Sequence, residues 1–315
     1  MDINILKSEK PKILITGANG LVGQKIVKKI LIDGKYDVIA TGIGICRLPG
    51  EWEGYDYEEM DITHFKEVME VFRIYAPQYV IHAASMTDVD RCEVSRHNCY
   101  EQNVKATLNI IQASTQCQSH LIFISTDFIF DGKNGPYDEA DKPNPLNYYG
   151  QTKLETEIAI QKYPYKWAIV RTNLVYGISH DMSRSNIILW VKKGLEQGKT
   201  LELVDDQFRT PTLAEDLAEG CLLIVAKKAS GIFNLSGEEL LTPYDMAIIT
   251  AGFFHLDATK IKKTDSSHFG QVANRPLRTG LIISKAKEIL GFSPKSFAEG
   301  IGIMAKQIKL AEYKT

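Results

Sequence analysis

Thr16-Gly17-Ala18-Asn19-Gly20-Leu21-Val22-Gly23 restricts the fold of this chain more than any other stretch. It spells T-G-x-x-G-x-x-G between a short apolar run, residues 12–16, and a segment of helical spacing, residues 21–32. Val22, Ile26, Ile30 and Leu31 share one side of that segment. Glycines in this frame make a tight turn, let the backbone approach a pyrophosphate and let strand and helix pack closely. The helix start then offers free N–H groups and the positive end of its dipole to the anion. At the first strand–helix junction, the motif marks Gly17, Asn19, Gly20, Leu21, Val22 and Gly23 as binding a dinucleotide.

The rest of the first half repeats the same rhythm. Strands are expected at 37–43, before Asp61, and at 79–84, 121–125 and 167–171. Helices are expected over Thr63 to Tyr75 with Thr63 as N-cap, over 98–117 through Val104, Leu108, Ile111 and Ala113, and over 149–162. Apolar strands alternating with helices predict an α/β fold: a Rossmann-like, doubly wound parallel sheet over residues 1–172. Past residue 172 the rhythm weakens. Helices at 185–197, 213–227, 243–254, 284–290 and 297–310 and strands at 201–204 and 231–235 predict a smaller C-terminal substrate-binding lobe, residues 173–315, with elements returning to the main sheet. The loop 131–148, rich in Gly, Pro, Asn and Asp, is long enough to imply a functional role.

Composition excludes several classes of function. Lys plus Arg is 37 against 39 Asp plus Glu, a net charge of -2, so there is no electrostatic footprint for nucleic acid and no polybasic run for a membrane surface. The longest apolar stretch, near Cys221 to Ala226, cannot span a bilayer, and the first residues carry no apolar leader core. Five cysteines without a C-x-x-C argue against a disulfide framework or structural zinc and fit a reducing cytoplasm. No H-x-x-x-H or H-E-x-x-H occurs, and His82 in mid-strand reads as a core histidine, so no metal is expected. Ser125 lacks the G-x-S-x-G elbow of a hydrolase nucleophile.

The end of the second strand bears on the choice of cofactor. NAD enzymes usually place a carboxylate there for the ribose hydroxyls. Residues 38–50, VIATGIGICRLPG, hold no acid and one base, Arg47. A guanidinium without a carboxylate favours a 2′-phosphate, hence NADP(H), with NAD(H) as the alternative. Asp61 is a candidate for adenine, or simply a charge at a helix start. Ile62, Ala83, Ala84, Ser85, Tyr149 and Lys153 complete the expected cofactor-binding set.

Tyr149 and Lys153 stand four apart on one predicted helix face, after a strand ending Ser125-Thr126-Asp127 at the ligand edge of the sheet. A free tyrosine has a pKa of about 10. A cationic Lys153 would lower it, so that Tyr149 could protonate a ketone oxygen as hydride arrives. Thr126 could hydrogen-bond the same oxygen.

With these motifs the chain resembles the extended short-chain dehydrogenase/reductases, and within them the dTDP-4-dehydrorhamnose reductase family. Ser125 to Gly132 (STDFIFDG), Pro145 to Lys153 (PLNYYGQTK), Asp206 to Thr212 (DQFRTPT) and Arg275-Pro276 carry the resemblance, which runs from about residue 12 to 300. It implies Thr126, Tyr149 and Lys153 as the catalytic trio, with Asn103 joining them. The substrate set is Asp88, Thr126, Asp127, Asn173, Gln207, Arg209 and Arg275, the two arginines for a nucleotide-sugar diphosphate. Two departures stand out. Arg171-Thr172-Asn173-Leu174 lacks the tryptophan the family usually carries there, and Arg209 replaces a usual glycine. The resemblance implies a cytoplasmic, NADP(H)-preferring reductase of a 4-keto-6-deoxy nucleotide sugar, with a homodimer left open. The alternatives are a nucleotide-sugar epimerase or dehydratase, and an NADP-binding regulatory subunit of the methionine adenosyltransferase β type.

Overall fold

The computed structural model describes residues 10–181, 186–268 and 270–312. The leader reading and the first residue of the helix expected at 185–197 lie outside them. Six strands follow the six expected runs: β1 (Lys12–Thr16), β2 (Asp37–Gly42), β3 (Tyr55–Glu59), β4 (Tyr79–His82), β5 (His120–Thr126) and β6 (Trp167–Thr172). With Gly231–Asn234 from the second half they form one sheet of seven strands. Its order is Gly231–Asn234, β6, β5, β4, β1, β2, β3, with every neighbour parallel. After β3 the chain returns to the other side of β1. The crevice beyond the carboxyl ends of β1 and β4 is therefore the topological switch point, where open α/β sheets bind ligands.

Both faces of the sheet are covered, which is why its strands are nearly all apolar. Ile13 and Ile15 point to one side, where they join Ile26 and Ile30 of α1 (Leu21–Asp33) and Leu217 and Ile224 of the helix Ala214–Lys227. Leu14 points to the other, against Val68 and Phe72 of α2 (Phe65–Tyr75). That second face continues through α5 (Ala106–Cys117) and α6 (Tyr148–Ile160), with α3 (Val89–Val94) and α4 (Arg96–Tyr100) packed on α6. Among the described residues no helix is long and apolar enough to cross a membrane.

Three local expectations need correction. The helix expected over 98–117 is interrupted by a π turn at Glu101–Lys105. A π turn holds extra backbone and shifts the register of the face that follows. Ile110 and Ala113 are therefore fully buried, whereas Leu108 is 45 % exposed. Thr63 does not cap α2; its hydroxyl turns back to Asp61 Oδ1 at 2.8 Å, and the helix starts after His64. In the second half the strand Ile261–Thr264, paired with Leu201–Val204, went unforeseen because two lysines interrupt its apolar pattern.

Candidate functional site

The glycine turn is shaped by close approach. Gly17 has a φ of +70°, and a Cβ there would lie 2.9 Å from Ala84 Cα. A Cβ on Gly23 would overlap the carbonyl oxygen of Gly17. These contacts hold β1, α1 and the end of β4 together and leave Gly20 as the N-cap of α1 at the crevice. A cavity of about 550 Å³ runs from Gly17–Gly23 to Tyr149 and Lys153. It continues into a recess of about 490 Å³ between Gly42, Ile62, Ala83 and Ala84. Arg47 and Ser85 border both parts. An extended dinucleotide fits such a cradle: glycine backbone under a pyrophosphate and a helix N-terminus aimed at it.

Asp61 is not brought to the wall, although its neighbours Met60 and Ile62 are. Its Oδ1 accepts the N–H and O–H of Thr63, at 2.9 and 2.8 Å, and shapes the turn before α2. The carboxylate that does reach the loop after β2 is Glu59 of β3, whose Oε1 accepts the Gly44 N–H at 3.1 Å.

β5 delivers Thr126 and α6 delivers Tyr149 and Lys153 to the far end of the cavity. Asn147 caps α6 by accepting the Gly150 N–H at 2.9 Å, which fixes where the first turn begins. Tyr149 is buried, 8 % exposed, edge-on to Phe128 at 6.2 Å and packed against Cys92 and Cys99. Burial raises its phenol above the usual tyrosine range, and the Thr126 hydroxyl acts against that rise. The expected lowering by Lys153 is not found. Burial itself pulls the Lys153 ammonium down to about 7, with Glu157 one turn along α6 opposing the fall. Lys153 Nζ donates to the Ile124 carbonyl at 2.7 Å and lies 4.0 Å from the centre of the Phe123 ring. Glu157 is fully buried with Arg171, at 2.8 Å, and accepts the Ser125 hydroxyl at 2.5 Å.

Asn103 is close by but does not line the cavity. Its Oδ1 accepts the Ser85 hydroxyl and the Met86 N–H at 2.9 and 2.8 Å. Its Nδ2 donates to the Met86 carbonyl and to Thr152 Oγ1, both at 3.1 Å. It joins the loop after β4 to α6 as a positioning residue, not as a member of the reacting trio. His82 is a satisfied core histidine, held neutral by burial with its pKa pulled down to about 3. Thr107 gives its proton to the Asn103 carbonyl at 2.6 Å, so it accepts from His82 Nε2 at 2.9 Å. His82 Nδ1 then accepts the Thr16 hydroxyl at 2.7 Å.

The substrate set divides. Thr126, Asp127, Asn173 and Arg209 line the cavity; Asp88, Gln207 and Arg275 do not. Asp88 caps α3. Arg275 is held by Asp90 through bonds of 3.0 and 2.7 Å. Arg209 is buried, and its guanidinium donates to the carbonyls of Phe208, Leu277 and Pro276 while facing Asp127 at 4.0 Å. Neither arginine has the free fork that a diphosphate needs, so that expectation is corrected for both. Asn173 donates to the Thr279 carbonyl at 2.7 Å, but its buried Oδ1 has no protein partner among the described residues. Leu174, in the place of the missing tryptophan, lines the cavity with a φ of +37°. Thr87, in the segment 86–91 that follows a strand at the ligand edge, lines it too; Phe128 and Gly177 also line it and were not foreseen, and for Phe128 the adjacent Ser-Thr-Asp was the available signal.

Comparison with known proteins gives consistent relationships. The family model described as the RmlD substrate binding domain matches residues 11–310. Methionine adenosyltransferase 2 subunit beta of Bos taurus is 31 % identical over 291 residues, covering 90 % of this chain and 84 % of its own. The dTDP-4-dehydrorhamnose reductase of Aggregatibacter actinomycetemcomitans is 28 % identical over 305 residues, 92 % of this chain and 97 % of its own. A crystal structure of the Bacillus anthracis dTDP-4-dehydrorhamnose reductase in complex with NADP superposes with a TM-score of 0.80. It is 25 % identical and covers 95 % of this chain and 99 % of its own.

Proposed function

This chain belongs to the RmlD substrate binding domain family and is an NAD(P)-dependent extended short-chain dehydrogenase/reductase, and from that premise we propose that it is an NADP(H)-preferring reductase of a 4-keto-6-deoxy nucleotide sugar. The observation that carries the reading is Thr126, Tyr149 and Lys153 together at one end of a cavity whose other end is the glycine cradle.

A reduced nicotinamide, when bound, supplies the hydride. Tyr149 keeps its proton at neutral pH because burial favours the neutral phenol, and this makes it a proton donor toward a ketone oxygen in the cavity. Lys153, with a pKa near 7 in the free protein, regains its proton when negative charge enters the cavity and then stabilises the oxyanion side. Phe128 and Leu174 exclude water from the sugar face, and Asn173 Oδ1 offers an unused acceptor to a sugar hydroxyl. The exposed Arg47, with no side-chain carboxylate at Gly42, supports NADP(H). The free thiols of all five cysteines fit a reducing cytoplasm.

The test is net cofactor consumption. With dTDP-4-dehydrorhamnose, stoichiometric loss of NADPH is expected. Sugar interconversion without net loss would instead mean an epimerase or dehydratase. The methionine adenosyltransferase subunit relative favours a second reading, a regulatory subunit. NADPH binding without turnover, together with a stable protein partner, would establish it.

A further inference from the structure

The loop after β2 that carries Arg47 is held from two sides. Asn19, inside the glycine motif, accepts the Arg47 N–H on Oδ1 at 2.8 Å and donates from Nδ2 to the Ile45 carbonyl at 3.1 Å. Its Nδ2 also donates to the hydroxyl of Tyr57 at 2.8 Å. Tyr57, from β3, gives its own proton to the Gly44 carbonyl at 2.8 Å. Gly44 itself has a φ of +72°.

The same two side chains occupy the space where a carboxylate would project from the end of β2. A Cβ on Gly42 would stand 3.0 Å from Asn19 Nδ2 and 3.2 Å from the Tyr57 hydroxyl. Resting on the NADP(H) reading above, we propose that Tyr57 and Asn19 form a clamp that sets cofactor specificity, holding Arg47 toward a 2′-phosphate and filling the position of an NAD-selective acid. Tyr57 is a positioning residue: its hydroxyl sits at the centre of the hydrogen bonds, and Arg47 meets the ligand.

Tyr57→Phe removes that hydroxyl and keeps the ring. Dissociation constants for NADPH and NADH, read from the fluorescence of the reduced nicotinamide, are the measurement, and they need no turnover. NADPH affinity is expected to fall at least about 10-fold and NADH affinity less than about 3-fold, since only the 2′-phosphate site is disturbed. Arg47→Ala gives the same pattern, and the double variant loses little more than either single one, because both act on one interaction. Gly42→Ala, whose Cβ pushes on both Asn19 and Tyr57 from β2, reaches the same loss without substituting Tyr57 and serves if Tyr57→Phe does not fold. A wild-type protein that binds both cofactors equally overturns the NADP(H) reading and this inference with it. A wild-type preference that survives unchanged in Tyr57→Phe, or in Gly42→Ala where that is the variant that folds, overturns the clamp alone.

Discussion

The hydroxyl of Thr126 donates to Asp127 Oδ1 at 3.2 Å and accepts the Phe128 N–H at the same distance. With Asp127 ionised, the proton that Thr126 could offer a ketone oxygen is already directed elsewhere. Asp127 is buried, its Oδ2 accepts the Thr279 hydroxyl, and Arg209 faces it at 4.0 Å. Burial outweighs these partners and raises its pKa from 3.8 to about 6. The protonated carboxyl brings its own hydrogen to this cluster, which leaves Thr126 free to turn its hydroxyl into the cavity.

A raised carboxyl pKa destabilises the ionised folded state. The folded protein binds more protons than the unfolded chain between pH 3.8 and about 6, so this group's contribution is full below that window and lost as pH rises through it. The span corresponds to at most roughly 3 kcal/mol. Urea denaturation of wild type and Asp127→Asn at pH 4 to 7 measures it. The stability of wild type relative to the variant should fall across the window; a constant difference would exclude the shift.

Lys153 gives the opposite slope. Its folded pKa, about 7, lies below the unfolded 10.5, so the folded protein binds fewer protons between those values and stability rises with pH there. The upper bound is roughly 5 kcal/mol. Lys153→Met removes the buried charge. It should be no less stable than wild type at pH 6, and wild type should gain on it as pH climbs from 7 to 10. A flat difference in chemical denaturation would mean the ammonium is better solvated than its surroundings indicate.

Asn103→Ala deletes five side-chain hydrogen bonds at once, to the Ser85 hydroxyl, the Met86 N–H, the Met86 carbonyl, Cys99 Sγ and Thr152 Oγ1. At about 1 kcal/mol for each of the four bonds to nitrogen or oxygen partners, the loss is on the order of 4 kcal/mol, seen as a lower denaturation midpoint. Since Ser85 borders the cofactor cavity, NADPH binding should weaken alongside. Unchanged binding by isothermal titration would separate Asn103 from the cofactor wall.

Much of this was legible because it is local. The glycine turn, the apolar strands and the Tyr149–Lys153 spacing each fit within a few residues, and the sheet then brings the two ends of the cavity together. The misread residues depend on distant partners or on burial. Arg275 resembled a phosphate ligand until Asp90, 185 positions away, closed on it. Arg209 met Asp127 and three carbonyls in the same way. The spacing of Tyr149 and Lys153 suggested a cation lowering a phenol, but spacing does not record that the cation is itself buried. Leu108 was misplaced by the π turn, which is invisible to a 3.6-residue period.

The central claim is that Tyr149 is the proton donor of a reductase. The direct measurement is NADPH oxidation with dTDP-4-dehydrorhamnose by wild type and Tyr149→Phe, with NADPH affinity measured on both. The account predicts turnover by the wild type, a fall of about 10²–10⁴-fold in the variant, and NADPH affinity retained within about 3-fold. Full turnover by Tyr149→Phe would contradict it.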